Sequence, residues 1–188
     1  MQAFETENAD ILEGLNEEQV RGISRSYTCK DYQMIIGVPG SGKHEIVSRM
    51  LVIARRLKKK VLVMGINNQT IDKLIFRLLK HQAKQPTEEP RSRFVRVCST
   101  STQVHKKLRQ YTNTCQRFES LKALDDFIKE TDVFFATTMS VFNTFFGCFK
   151  FDLCILDEAS LVTEPLSIGP VLMAEKFVMV GDYYILNP

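Results

Sequence analysis

The stretch Met34 to Lys43, MIIGVPGSGK, leaves little freedom to the chain around it. Met34, Ile35 and Ile36 are a short apolar run that reads as a buried strand ending at Gly37. Gly37, Gly40 and Gly42 let the backbone turn tightly, so that successive N–H groups converge on one anion. Lys43 adds a full positive charge on a long stem, at the start of a helix whose N-terminus already favours phosphate. Gly37, Val38, Pro39, Gly40, Ser41, Gly42 and Lys43 thus spell G-x-x-x-x-G-K, a phosphate-binding P-loop in the strand-then-helix context that the motif requires. One position departs from it. His44 stands where Ser or Thr ordinarily follows the lysine and supplies a hydroxyl to magnesium. A glycine-rich turn that binds nothing is the plain alternative.

The remaining pattern extends this unit. Asn16 is placed as the N-cap of a helix running to about Tyr27, with Gln19 at its third position completing a capping box. Residues 1–14 are polar and acidic and read as a flexible lead-in. After the loop, Ile46, Val47, Met50, Leu51, Ile53, Ala54 and Leu57 recur at helical spacing. Val61 to Met64 is a second apolar strand, and Asn67 to Lys80 a second helix. Further short strands are expected at Phe94–Val97, Val133–Ala136, Phe151–Leu156 and Lys176–Val180, with a short helix opening at Glu164 and Pro165. Near-continuous apolar strands separated by helices predict an α/β fold, a parallel sheet sandwiched by helices. Ligands of such sheets sit at the carboxyl ends of the strands, where Gly37, Gly65, Thr137, Asp157 and Gly181 fall.

One segment breaks the rhythm. From Lys84 to Arg117 there are eight bases against Glu88 and Glu89, a local excess of six in a chain whose net charge is +3. The segment around 85–130 reads as a small basic insert, with Gln85 to Pro90 a loop and the part after Val97 mostly helical. Its charge is either a solvated face or a surface lying against a phosphate backbone. Cys29, Cys98, Cys115, Cys148 and Cys154 show no C-x-x-C pair or metal-ligand spacing, so they read as reduced, buried thiols. The acidic N-terminus lacks the basic start of a secretory signal, and no apolar run is long enough to span a bilayer.

A P-loop needs a carboxylate to hold its metal. Asp157, directly after an apolar strand, is the expected acid, and Glu158 beside it is suited to orienting or deprotonating water. Ordinary turn chemistry at a strand end is the alternative for this pair.

Taken in order, these residues resemble the motifs of superfamily 1 helicases. Leu15-Asn16-x-x-Gln19, GVPGSGKH, Asn67 with Asn68 and Asp72, ATT at 136–138, DEAS at 157–160, Glu164-Pro165 and Gly181-Asp182 carry the likeness, which covers roughly 15–188. It is closest in phrasing to the branch holding eukaryotic replication helicase/nucleases. The resemblance implies a P-loop NTPase, the first of two RecA-like domains, with the second RecA-like domain and a nuclease domain absent from this stretch. It implies ATP and Mg2+ as cofactors and single-stranded DNA as partner, RNA being the alternative. A second RecA-like domain in cis or trans, no membrane, and a nuclear rather than cytoplasmic setting go with it. Residue by residue, it implies that Gln19 reads the adenine edge and that the loop from Gly37 to His44 holds the phosphates. Lys43, Asp157 and Glu158 become the catalytic set, with Asp157 the metal ligand. Asp182 senses the γ-phosphate, and Asn67, Asn68, Thr137 and Thr138 touch the strand. His44, Leu161, Ile185 and Asn187 depart from the family pattern. Those departures leave open a non-catalytic nucleotide- or nucleic-acid-binding module; a small P-loop kinase or GTPase is the more distant choice, because no N-K-x-D signature is present.

Overall fold

The computed structural model describes residues 1–84, 93–116, 119–142, 146, 149–182 and 184. Six strands form one sheet: β1 (Tyr32–Ile36), β2 (Val61–Gly65), β3 (Phe94–Arg96), β4 (Val133–Thr137), β5 (Phe151–Asp157) and β6 (Ala174–Gly181). Their order across the sheet is β1-β6-β5-β2-β4-β3, and every pairing is parallel. The register aligns the carboxyl ends that matter: Ile36 opposite Gly181, Asp157 opposite Val180, and Gly65 opposite both Asp157 and Thr137.

The alternation of side chains along each strand divides the core in two. Val61, Val63, Phe135, Leu153, Ile155, Val178 and Ile35 face one side, where they pack with α4 (Lys43–Arg56) and α5 (Asn68–Lys84). Leu62, Met64, Phe134, Cys154 and Leu156 face the other, against Phe127 of α6 (Leu121–Glu130) and Leu166 of α7 (Glu164–Leu172). Both faces are covered, as the sequence predicts for a parallel sheet.

Three expectations need correction. The lead-in is docked: α1 (Gln2–Glu7) and α2 (Ala9–Leu12) precede α3 (Glu17–Thr28). Ile11 and Leu12 are buried, Phe4 stacks on Tyr27, and Asp10 takes a two-pronged ion pair from Arg56. Two apolar side chains and that pair outweigh the acidic composition that suggested fraying. Next, β1 is not a buried strand. It lies at the sheet's edge, with Tyr32, Met34 and Ile36 exposed and only Ile35 turned into the core. Finally, the segment after β3 is helical as expected but of a different kind: 3-10 helices at Ser101–Gln103, Lys106–Tyr111 and Asn113–Cys115, followed among the described residues by the α-helix α6.

Arg96, counted with the basic surface on sequence grounds, is fully buried. Among the thiols, Cys98 and Cys154 are buried and free, with burial pushing Cys154 up to about 12, whereas Cys115 is exposed. The proposed loop at Gln85–Pro90, with Arg91, Arg117, Cys148, Ile185 and Asn187, lies outside the described residues. No helix among the described residues is long and apolar enough to cross a membrane.

Candidate functional site

The loop after β1 is held in shape by its own glycines and by its neighbours. Gly40 and Gly42 adopt left-handed backbone conformations, φ +83° and +86°, which side chains disfavour. Gly42 is the N-cap of α4. A Cβ at Gly37 would lie 2.4 Å from Oγ of Ser41 and would force that hydroxyl to move. The Gly37 N–H donates to the Gly181 carbonyl at 3.1 Å, tying the loop to the end of β6. The Glu45 and Ile46 N–H groups both donate to the carbonyl of the Gly42 N-cap, and the earlier N–H groups of a helix are the ones generally left for an anion.

Lys43 is buried, and its ammonium donates to the carbonyls of Gly37 (2.5 Å) and Val38 (3.1 Å). The loop thus wraps its own lysine, a charge that a phosphate would compete for. Gln19 holds the other flank. Its Oε1 accepts from the Asn16 N–H while Asn16 Oδ1 accepts from the Gln19 N–H, the capping box expected from sequence. Its Nε2 also donates to the Ser41 carbonyl at 3.0 Å, an attachment to the loop that spacing alone does not reveal. Between α3, β1 and the loop lies a cavity of about 260 Å³, lined by Gln19, Arg25, Gln33, Ile35, Ser41 and Lys43. Pro39 and Ser41 are exposed at the loop's rim.

Across from the loop stand the acids. Asp157 ends β5 and is wholly buried, and neither carboxylate oxygen has a hydrogen-bond partner among the described residues. His44 Nδ1 comes within 3.2 Å of its Oδ2, but the pair lacks hydrogen-bond alignment. Glu158 follows with φ +52°, a left-handed conformation in a residue that is not glycine. Such strain is characteristic of functional sites, and here it turns the Glu158 carboxylate to 3.9 Å from His44 Nε2. Asp182 is a second buried acid: Oδ1 accepts from the Tyr184 N–H, and Oδ2 has no partner among the described residues. Its own N–H donates to Oγ of Ser160, so DEAS and Gly181-Asp182 are joined side chain to backbone.

A buried carboxylate without hydrogen bonds fits a divalent cation. The imidazole beside it does not fit magnesium, which takes oxygen donors at about 2.0–2.1 Å.

The residues assigned to a nucleic-acid strand occupy the same edge but are engaged locally. Asn67 is the N-cap of α5, its Oδ1 accepting from the Thr70 N–H. Asn68 Oδ1 accepts from buried Arg96 at 2.5 Å. The Thr137 hydroxyl meets that of Ser140 at 2.8 Å, and Thr138 is fully buried with its hydroxyl unpartnered among the described residues. Arg96 also approaches Asp72 at 3.6 Å, and Asp72 accepts from the His105 N–H, so the start of α5 is bolted to the insert. Sequence reasoning missed this network. The available signal was a lone base inside the apolar phrase FVRV.

A model of the AAA domain family matches residues 14–123 and 103–188, which together span most of the chain. The chain belongs to this family. It is 30% identical over 180 residues to the DNA replication ATP-dependent helicase/nuclease of Schizosaccharomyces pombe, covering 95% of this chain and 12% of that protein. The Xenopus laevis helicase/nuclease of the same description is 30% identical over 184 residues, 96% of this chain and 16% of the relative. The chain therefore spans a small part of these relatives' length. Among solved structures, a nuclease-deletion mutant of the restriction-modification enzyme LlaGI with a DNA substrate mimic superimposes with a TM-score of 0.64. It is 18% identical over 89% of this chain and 17% of that one. The Sulfolobus solfataricus SWI2/SNF2 ATPase core in complex with double-stranded DNA gives 0.59 at 12% identity, over 89% of this chain and 32% of that one. At those identities the structures speak for the fold alone. This AAA-family domain is a helicase-family, ATPase-like domain related to the replication helicase/nucleases, as the motif order leads one to expect.

Proposed function

We propose that this domain binds ATP at the Gly37–His44 loop and forms the nucleotide-binding half of a DNA helicase acting in replication or repair. The observation that carries the reading is the meeting of loop and acid: residue 44, next to Lys43, touches Asp157 at the carboxyl edge of the sheet. A triphosphate would displace the Gly37 and Val38 carbonyls from the Lys43 ammonium and take their place. Gln19, at the rim of the adjoining cavity, would offer its amide to the adenine edge once it releases Ser41. Asp157 would hold the charge that accompanies the phosphates. Glu158 would orient or deprotonate the attacking water, and Asp182 would register the terminal phosphate. Asn67, Asn68, Thr137 and Thr138 would meet the backbone of a single strand, for which their local bonds must open. The description of the relatives as DNA replication helicase/nucleases supports DNA over RNA, and a nuclear setting goes with that reading. A second RecA-like domain, in cis or trans, would complete the motor.

A second reading, a nucleotide-binding module without turnover, is favoured by one observation: an imidazole occupies the position of the usual hydroxyl. Turnover of ATP by the wild-type chain and by His44→Thr, in the presence of a two-domain partner, separates the readings. A large gain with threonine marks a weakened motor, and none marks a binding module.

The primary test is titration of a fluorescent ATP analogue into the wild-type chain and Lys43→Ala. Loss of a charge-assisted contact to phosphate is worth about 1.5–3 kcal/mol, so affinity should fall by roughly tenfold to a hundredfold. Equal affinities would mean that the loop is not the site.

A further inference from the structure

We infer that His44 is a metal ligand, and that the site takes a nitrogen-tolerant divalent cation such as Mn2+ or Co2+ in preference to Mg2+ when nucleotide is bound. The inference rests on the nucleotide-binding reading above.

Three observations carry it. Asp157 is wholly buried, yet neither oxygen is hydrogen-bonded to any described residue, so its charge calls for a cation. His44 Nδ1 is likewise buried without a hydrogen-bond partner, although it stands 3.2 Å from Asp157 Oδ2. Two donors at right angles around one ion, each about 2.1–2.2 Å from it, lie about 3.1 Å apart. The 3.2 Å between His44 Nδ1 and Asp157 Oδ2 matches such an edge in length. The far side of the ring completes the arrangement. Nε2 lies 3.9 Å from Glu158 Oε1, too far for a hydrogen bond but near enough for that second carboxylate to add to the negative potential that draws a cation here.

His44 and Asp157 do not make a closed site by themselves. No group of three His, Cys, Asp or Glu residues able to hold an ion occurs among the described residues. The remaining coordination positions fall to phosphate oxygens and water, so the cation arrives with the nucleotide. Replacing one oxygen donor by imidazole weakens the case for magnesium and strengthens it along the series from Mn2+ to Co2+.

The test uses the 188-residue chain with ADP and with a non-hydrolysable ATP analogue. Calorimetric titration in EDTA, Mg2+, Mn2+ and Co2+ should give affinity rising in that order of metals, with Mn2+ at least about tenfold above Mg2+. Pulsed electron paramagnetic resonance of the Mn2+–nucleotide complex should show a directly coordinated 14N, lost in His44→Thr and His44→Ala. His44→Thr should also bring the Mn2+ to Mg2+ ratio close to one; a thermal melt matching wild type excludes misfolding, and His44→Ala serves if threonine perturbs the loop. Lys43-dependent nucleotide binding with equal Mg2+ and Mn2+ affinities and no 14N coupling would overturn this inference while leaving the nucleotide reading intact. No nucleotide binding under any metal condition would overturn both.

Discussion

His44 Nδ1 lies 3.2 Å from Asp157 Oδ2, an acid with 0% exposure, and the two do not form a hydrogen bond. Folding has brought the residue after the P-loop lysine against the end of a strand two places away in the sheet, because β6 alone separates β1 from β5. An arrangement of this kind is a cost to the folded state. A carboxylate stripped of water without hydrogen bonds opposes folding, and it persists where a ligand needs it.

The first prediction follows from that cost. Asp157→Asn keeps the shape and removes the charge, so the ligand-free chain should become more stable, by about 1–2 kcal/mol in urea unfolding. The same variant should lose metal-dependent nucleotide affinity. A destabilised Asp157→Asn would mean that the carboxylate is satisfied in the fold and serves structure instead.

Gly42 offers a second prediction. Gly40→Ala and Gly42→Ala both place a side chain at positive φ, which should cost each about 1–2 kcal/mol. They differ in their surroundings: a Cβ at Gly40 meets nothing within 4 Å, whereas at Gly42 it would lie 2.5 Å from Nε2 of Gln19. Only Gly42→Ala should therefore expel the Gln19 amide from Ser41. Faster hydrogen exchange at the first turn of α3 in that variant alone would register the change.

What the sequence conveyed, and what it withheld, divides along local and non-local lines. The capping box of Asn16 and Gln19, the loop from Gly37 to Lys43 and the acid at the end of β5 are set by residues a few positions apart, and each is where spacing puts it. The exposure of Met34 is another matter. An apolar run looks alike at an edge and in the middle of a sheet, and only the strand order, fixed by residues far away, leaves β1 with a single neighbour among the described strands. Asp10 reads as a solvated acid until Arg56, remote in the chain, is found to pair with it. Arg96 reads as surface for the same reason, since Asn68 and Asp72 reach it in β3 from the helix α5.

That buried arginine gives the third prediction. Burial pulls Arg96 below its ordinary value, and the Asp72 carboxylate opposes the shift. Removing one partner of a buried pair leaves an uncompensated charge, so Asp72→Leu should lower stability by about 3–5 kcal/mol. Arg96→Leu should do similar damage. The double variant should lose much less than the sum, and a double-mutant cycle by urea unfolding measures the difference. Additive losses would mean that the two charges do not speak to each other across their 3.6 Å.

The fourth prediction concerns acid. At Asp152, burial opposes the charged form, but hydrogen bonds from the Lys59 ammonium and the Lys60 N–H outweigh it and hold the carboxyl below its ordinary value. Glu45 behaves alike, burial being outweighed by His81 and Arg49, and Asp10 is lowered chiefly by its hydrogen bond from Arg56. A carboxyl whose folded value is depressed binds fewer protons folded than unfolded just below its ordinary value. Its stabilisation is therefore complete above the unfolded values of 3.8 for Asp and 4.5 for Glu, and is lost as pH falls through the lowered folded values. Urea midpoints should be insensitive to these groups above about pH 5 and decline steadily below it. Asp152→Asn should be less stable than wild type at neutral pH, and the two should converge in acid as the wild-type carboxylate takes up its proton. A constant gap between them down to low pH would mean that the Lys59 and Lys60 contacts contribute through shape rather than charge.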